Sequence, residues 1–251
     1  MIKLSDRLQL MADLVDDGQT VADIGTDHGF LPIYLWESGK SNKVILADIS
    51  KGSLQKAMDN VDMREYSEEV LINNVLFRHG DGIKILEDGE VDAITIAGMG
   101  GVLMTEILGE NLKKTKSFKK FILQPRNGQG KLRWWLLNNG FSIEKELLVR
   151  EGKFICEILC VKPSTEVIEN IPLPEESGKD FFELNLMKYE FPESILMGNG
   201  ALAVEFAENK LQTERFILER LEGSSNTEEE KMYLQKERVL YLEELLKKYK
   251  A

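Results

Sequence analysis

Residues 20–37, TVADIGTDHGFLPIYLWE, run from a short strand-like stretch into Asp23-x-Gly25, turn through Thr26-Asp27-His28-Gly29 and continue as an apolar helix. A strand that empties into a glycine-bearing loop and then a helix lets backbone N–H groups approach a ligand closely. The acids Asp23 and Asp27 suit a cationic or ribose-rich ligand. Glycine after a buried strand is also ordinary turn chemistry, so this stretch alone leaves both readings open.

The same signal repeats downstream. SNKVILADIS (41–50) reads as a second buried strand ending in Asp48, 19 residues after Gly29 and near the roughly 20 expected of a ribose-binding carboxylate. NNVLFRHGDGIKIL (73–86) places Asp81-Gly82 after a third strand, and VDAITIAGMGG (91–101) empties a fourth into Gly98-Met99-Gly100-Gly101. A fifth strand, Lys119 to Gln124, is closed by Pro125, which cannot continue a central strand. LRWWLLNNG (132–140) is a short helix stopped by Gly140. The order is strand then helix, repeated five times, and ligands of such open parallel sheets bind at the carboxyl ends of the strands. FSIEKELLVREGKFICEILCVK (141–162) then changes the pattern, with two alternating runs about Glu151-Gly152-Lys153 that predict an antiparallel hairpin.

An amphipathic helix with Leu4, Leu8, Met11 and Val15 on one stripe opens the chain. Pro163 to about Gly200 holds four of the six prolines, which sets a boundary between residues 1–162 and a linker plus helical hairpin over 163–251. In that hairpin, ALAVEFAENKLQTERFILERL (201–221) and the run after Thr227 carry helical spacing on either side of a Gly-Ser-Ser-Asn-Thr break, so the two helices pair antiparallel, coiled-coil-like, against each other and the main domain or as a partner-binding arm.

With 251 residues, 43% apolar and 30% charged, the composition is that of a globular intracellular enzyme. No apolar stretch approaches the roughly 20 residues of a membrane span, and the start lacks the layout of a secretory signal, so a cytoplasmic protein is expected. Cys156 and Cys160 lie at even spacing on one strand face. They support neither a metal site nor a disulfide, and core packing is their expected role.

Five parallel strands followed by an antiparallel hairpin is the layout of class I S-adenosylmethionine methyltransferases. DIGTDH (23–28), LPIYL (31–35), GDG (80–82), ITIAGMGG (94–101), ILQP (122–125) and LRWWL (132–136) resemble one family closely. It is the bacterial tRNA (adenine-N1)-methyltransferase family TrmK, which acts on the adenine at position 22. The resemblance covers about the first 160 residues, and IAGMGG followed by ILQP is its specific part. It implies an α/β Rossmann-like fold, S-adenosyl-L-methionine as cofactor and tRNA as substrate; the sequence itself gives no metal or membrane signal and leaves the oligomeric state open, a monomer slightly favoured. Asp23, Gly25 and His28 would line the methionine side, Asp48 and Ile49 the ribose and adenine, and Asp81-Gly82 the adenine edge. Asp81 as turn chemistry and His28 as a helix cap are the alternatives.

Ala97, Gly98 and Met99 would border the cofactor, and Gly98, Gly100 and Gly101 would leave room for an edge-on base. Asp27 is the candidate proton acceptor or charge stabiliser, with turn or cap chemistry as its alternative. Substrate contacts are expected from Arg7, Gln124, Pro125, Arg126 and Arg133. Against a net charge of −11, the basic groups cluster over Lys113 to Lys120 and from Arg126 to Arg133 beside the base loop, with Lys247, Lys248 and Lys250 at the end. These are phosphate contacts or a solvated face.

Three departures from the family pattern stand out. Lys51-Gly52-Ser53 replaces Gly-Pro after Asp48, Arg126 replaces Asn after ILQP, and Cys156 replaces Tyr before Glu157. A methyltransferase acting on a small molecule, under a lid, and a non-catalytic RNA-binding adaptor remain alternatives. A nicotinamide oxidoreductase would need the G-x-G-x-x-G spacing, which the first loop lacks.

Overall fold

A computed structural model describes residues 1–63, 73–165, 187–224 and 228–250. Much of the expected linker lies outside the described residues, as do residues 225–227 of the Gly223–Thr227 break.

The first helix, α1 (Asp6–Asp13), is capped by Ser5, whose hydroxyl accepts from Leu8 N. Then follow β1 (Val21–Ile24), α2 (Phe30–Glu37), β2 (Val44–Asp48), α3 (Lys51–Asp62), β3 (Val75–His79), β4 (Ala93–Met99), α4 (Gly101–Gly109), α5 (Leu112–Thr115), β5 (Lys120–Pro125) and α6 (Gln129–Asn138). The hairpin is β6 (Phe141–Glu151) and β7 (Phe154–Pro163). All seven strands form one sheet in the order β3-β2-β1-β4-β5-β7-β6, parallel except for β7, which runs antiparallel to β5 and β6.

The central strands read as apolar runs because both faces are covered. One core joins Met104, Leu108, Leu132 and Leu136 of α4 and α6 to Ala22, Ile45 and Ile94 of the sheet. The other joins Met11, Leu31 and Ala57 of α1, α2 and α3 to Val21, Leu46 and Ile122. Alternate residues of each strand therefore serve opposite layers. The expected alternation fails once: β3 and β4 are connected through a 3₁₀ turn, Gly82–Ile85, rather than an α-helix.

Beyond the sheet lie α7 (Glu193–Gly198), α8 (Gly200–Glu222) and α9 (Glu229–Lys250). Ion pairs Glu208–Lys250, Arg215–Glu243 and Glu222–Lys236 descend along α9 as they ascend along α8, so the two helices are antiparallel. Their core of Phe206, Leu211, Leu242 and Leu246 takes in Leu148 of β6, and Asn199 Oδ1 accepts from Leu148 N at 2.8 Å. The helices are thus seated on the outer strand of the sheet.

Candidate active site

The carboxyl ends of β1, β2, β4 and β5 open into a cleft of about 760 Å³, lined by residues from both the β1–β2 loops and the hairpin. That volume suits a ligand of cofactor size with room beside it. Asp23, Gly25, Asp27, His28 and Asp48 form one wall; Ala97, Gly98 and Met99 form the floor. Arg7, Gln124, Pro125 and Arg126 form the other wall.

Asp23 sits at the end of β1, in register with Thr95 of β4, and accepts the Thr95 hydroxyl at 2.6 Å. Burial pushes its carboxyl above the usual range, opposed by the hydrogen bond from Thr95. Asp48 accepts from Ser50 N at 2.7 Å through Oδ1, while Oδ2 lies 3.5 Å from Asp27 N. The loop is therefore organised around Asp48, with Asp27 held at φ 36, a left-handed conformation that aspartate tolerates.

Asp27 itself faces solvent and is paired with Lys56 Nζ of α3 at 3.0 Å, with His28 Nε2 at 3.5 Å. The Lys56 hydrogen bond holds its carboxyl below the usual range. This carboxylate is a persistent anion and a poor proton acceptor at neutral pH. His28 stacks on Phe30, ring centroids 5.3 Å apart, at the mouth of the cleft.

On the opposite wall the buried Gln124 amide is locked. Its oxygen accepts from Arg7 Nη1 at 2.9 Å and from Gly98 N at 3.1 Å, and its nitrogen donates to Pro125 O. Arg7 in turn meets Glu151 of the hairpin turn. One side chain from α1 thereby ties the hairpin, β5 and the β4 loop together. Arg126 is exposed, and its backbone N–H donates to Met99 O at 2.8 Å.

Several expected residues stand elsewhere. Ile49, 67% exposed, and Asp81-Gly82 lie outside the cavity at the neighbouring strand ends, where Gly80 N donates to Asp48 O. The Asp81 carboxylate is taken by Lys84 at 2.6 Å. Gly100 and Gly101 do not line the cleft. A Cβ on Gly101 would stand 2.4 Å from Gly128 O, and Gly101 N donates to Asn127 O at 2.7 Å. These glycines let two loops approach rather than leaving room for a base.

Arg133 is a correction. It is buried, donating to Glu146 at 2.6 Å, to Glu157 at 2.5 Å and to Tyr189 O at 2.9 Å. Its phase on α6 turns it to the sheet, so it reaches no phosphate. The lysine run is the other correction. Lys120 opens β5 opposite Ala93 and is buried against Asp16 and Leu14 O, and Lys119 pairs with Asp92. These residues stand at the amino ends of the strands, at the far end of the sheet from the cleft. At the C-terminus Lys248 is occupied by Glu193 and Lys250 by Glu208.

Sequence reasoning missed Phe30, Gln129, Glu151, Phe154 and Glu157, which also line the cleft. Alternation along β7 from the hairpin turn carries Phe154 and Cys156 on one face and was a usable signal. Cys160 is buried as expected, but Cys156 reaches the cleft wall, where burial raises its thiol. Among the described residues no group of His, Cys, Asp and Glu could hold a metal ion, and no helix is long and apolar enough to cross a membrane.

A Rossmann-like sheet with a reversed last pair and a cleft across its β1–β4 switch defines a class I methyltransferase fold, and the methyltransferase domain family matches residues 4–159. The chain is 35% identical over 158 residues to the curated tRNA (adenine(22)-N(1))-methyltransferase of Bacillus subtilis, an alignment covering 63% of this chain and 64% of that one, less than two thirds of the relative's length. The crystal structure of the B. subtilis M1A22 tRNA methyltransferase TrmK is 27% identical, with a TM-score of 0.76 over 98% of this chain and 100% of that one. A Streptococcus pneumoniae structure in complex with S-adenosyl-L-methionine is 29% identical, with a TM-score of 0.77 over 98% and 100%. The chain belongs to the methyltransferase domain family.

Proposed function

We propose that this chain methylates N1 of the adenine at position 22 of tRNA, with S-adenosyl-L-methionine as methyl donor, acting as a cytoplasmic monomer. One observation carries the reading: a single cleft joins an acidic wall suited to a cationic, ribose-bearing cofactor to a wall bearing Arg7, Gln124 and Arg126.

The acidic wall fits that cofactor. Asp48 has Oδ2 available to a ribose hydroxyl beyond its bond to Ser50, and Asp23 and Asp27 supply negative potential for a sulfonium. Gly98, at φ 74, has nothing within 4 Å of where a Cβ would stand, so a ligand can close on its backbone. Ile49 and the backbone at Asp81-Gly82, at the strand ends beside the cleft rather than in its wall, would meet the adenine where the cofactor extends past Asp48. When bound, the cofactor supplies an electrophilic methyl group.

Adenine N1 brings its own lone pair, so no covalent nucleophile is needed and positioning supplies most of the acceleration. Gln124, fixed by Arg7, sets the Gly98 loop against which the base would lie. Asp27, kept ionised by Lys56, acts through its charge on the positive charge in the site. The N1 edge is reachable only in an unpaired or extruded adenine, and the exposed rings of Phe30 and Phe154 at the cleft rim suit an extruded base.

Local groups, not the net charge, would hold the RNA. Arg126→Ala is expected to weaken tRNA binding roughly fivefold at low salt and to reduce the slope of log affinity against log salt by about one. Filter binding across a salt series checks it; an unchanged slope would move the RNA surface elsewhere.

The deciding experiment is transfer of labelled methyl to unmodified bacterial tRNA, followed by nucleoside mass analysis. 1-Methyladenosine at position 22 is the expected product. Cofactor binding without transfer to tRNA would point to a small-molecule acceptor.

A further inference from the structure

Arg133 is shared by two carboxylates, Glu146 and Glu157, so the buried cluster carries one more negative than positive charge. Glu146 also accepts the Ser194 hydroxyl, and it is not part of the cleft. Glu157 is 3% exposed and lines the cleft; in phase with Leu159 and Val161 it lies on the α6 face of the sheet, the layer of Arg133, whereas Gln124 lies in phase with Ile122 on the α1 face. Arg133 takes its Oε2, leaving Oε1 as the second acceptor of that carboxylate. A buried carboxylate in excess of its cations calls for a cationic or N–H-donating ligand.

We propose that Glu157 is the acceptor-side catalytic residue: its carboxylate receives the exocyclic N–H of the target adenine and takes the proton that this amino group loses after methylation. The inference rests on the adenine-N1 reading. N1 gains the methyl and with it a positive charge; the amino group then releases one proton to Glu157, the ring returns to neutral, and Glu157 passes the proton to water. Glu157 is better placed for this than Asp27. Burial raises the Glu157 carboxyl, with Arg133 opposing, whereas Lys56 lowers that of Asp27. The other charged groups facing Glu157 are Arg133 from α6, Glu146 from β6, Lys210 from α8 and Glu190 ahead of α7. Of these, Glu146 is paired to Arg133, and Glu190 accepts from Gly130 N at 2.9 Å.

The test compares Glu157→Gln with Glu146→Gln, the other carboxylate on the same arginine. Both amides can keep an acceptor on Arg133. The first readout is the affinity ratio of tRNA carrying 1-methyladenosine to unmodified tRNA, measured without cofactor. Glu157→Gln is expected to lower that ratio about 10-fold, and Glu146→Gln to leave it in place. The second is the pH profile of single-turnover transfer. The ionised form is the active one, so the wild-type rate rises with pH through the Glu157 titration. Glu157→Gln loses that limb and about 100-fold in rate, while Glu146→Gln retains the limb. Equal ratios in wild type and Glu157→Gln, or the same changes in both variants, would overturn the proposal. Failure of the adenine-N1 reading would show separately, as wild type making no 1-methyladenosine.

Discussion

Arg133→Ala is expected to destabilise the protein by about 3–5 kcal/mol, because it leaves Glu146 and Glu157 buried without their cation. For a chain of this size that is a fall in melting temperature of roughly 10 °C. Burial opposes the charge on Arg133, but Glu157 and Glu146 together outweigh it and raise its pKa. Removing it pushes the Glu157 carboxyl, already raised by burial, further above its unfolded value. A carboxyl whose folded pKa is raised costs stability above that pKa, and the cost lifts as pH falls through it. The deficit of the variant is therefore largest at neutral pH and shrinks on acidification. Thermal melts from pH 7 down to pH 5 check this; a deficit that is small, or that grows in acid, would contradict the assignment of Arg133 to the core. The guanidinium also bonds Tyr189 O, so the variant should loosen the seating of the segment leading into α7.

Asp48→Ala carries the second large effect, about a 100-fold loss of S-adenosyl-L-methionine affinity, from the loss of charge-assisted hydrogen bonds to the ribose. Part of that loss would be organisational, since Asp48 also holds Ser50 N and approaches Asp27 N. Asp48→Asn separates the two contributions: it keeps an acceptor for Ser50 N–H and removes the charge, so an intermediate loss of about 10-fold is expected. Asp27→Ala, by contrast, should leave affinity within about threefold and lower turnover, because its carboxylate faces solvent and is occupied by Lys56. Calorimetric titration of the three variants, alongside transfer rates, distinguishes them. Equal loss of cofactor in Asp27→Ala and Asp48→Ala would remove the separate role of Asp27.

The loops that border the cleft were legible because each follows a buried strand and the carboxyl ends of parallel strands share one edge. Asp23, Asp48 and Gly98 needed only strand recognition to be brought together. The hairpin was equally legible, since alternation about Gly152 is a local pattern. The lysines were not. Lys113 to Lys120 are near Arg126 in sequence, yet β5 runs the depth of the sheet between them and carries them to opposite ends. A charge run says nothing about which end of a strand it flanks relative to a site.

Local patterning by itself determined the strand–helix alternation, the reversed terminal pair, the helical hairpin and the identity of the loops at the strand ends. Those follow from spacing and turn chemistry within short windows. Tertiary structure alone decided which polar side chains face each other across long separations: Lys56 on Asp27, Arg7 on Gln124 and Glu151, Lys120 on Asp16, and Arg133 between Glu146 and Glu157. The physical reason is that an arginine or lysine has the same local preferences whether it ends in solvent or in the core. Only the packing of α6 against β6 and β7 removes water from Arg133, and only that packing turns Glu157 from a strand residue into a wall of the cleft.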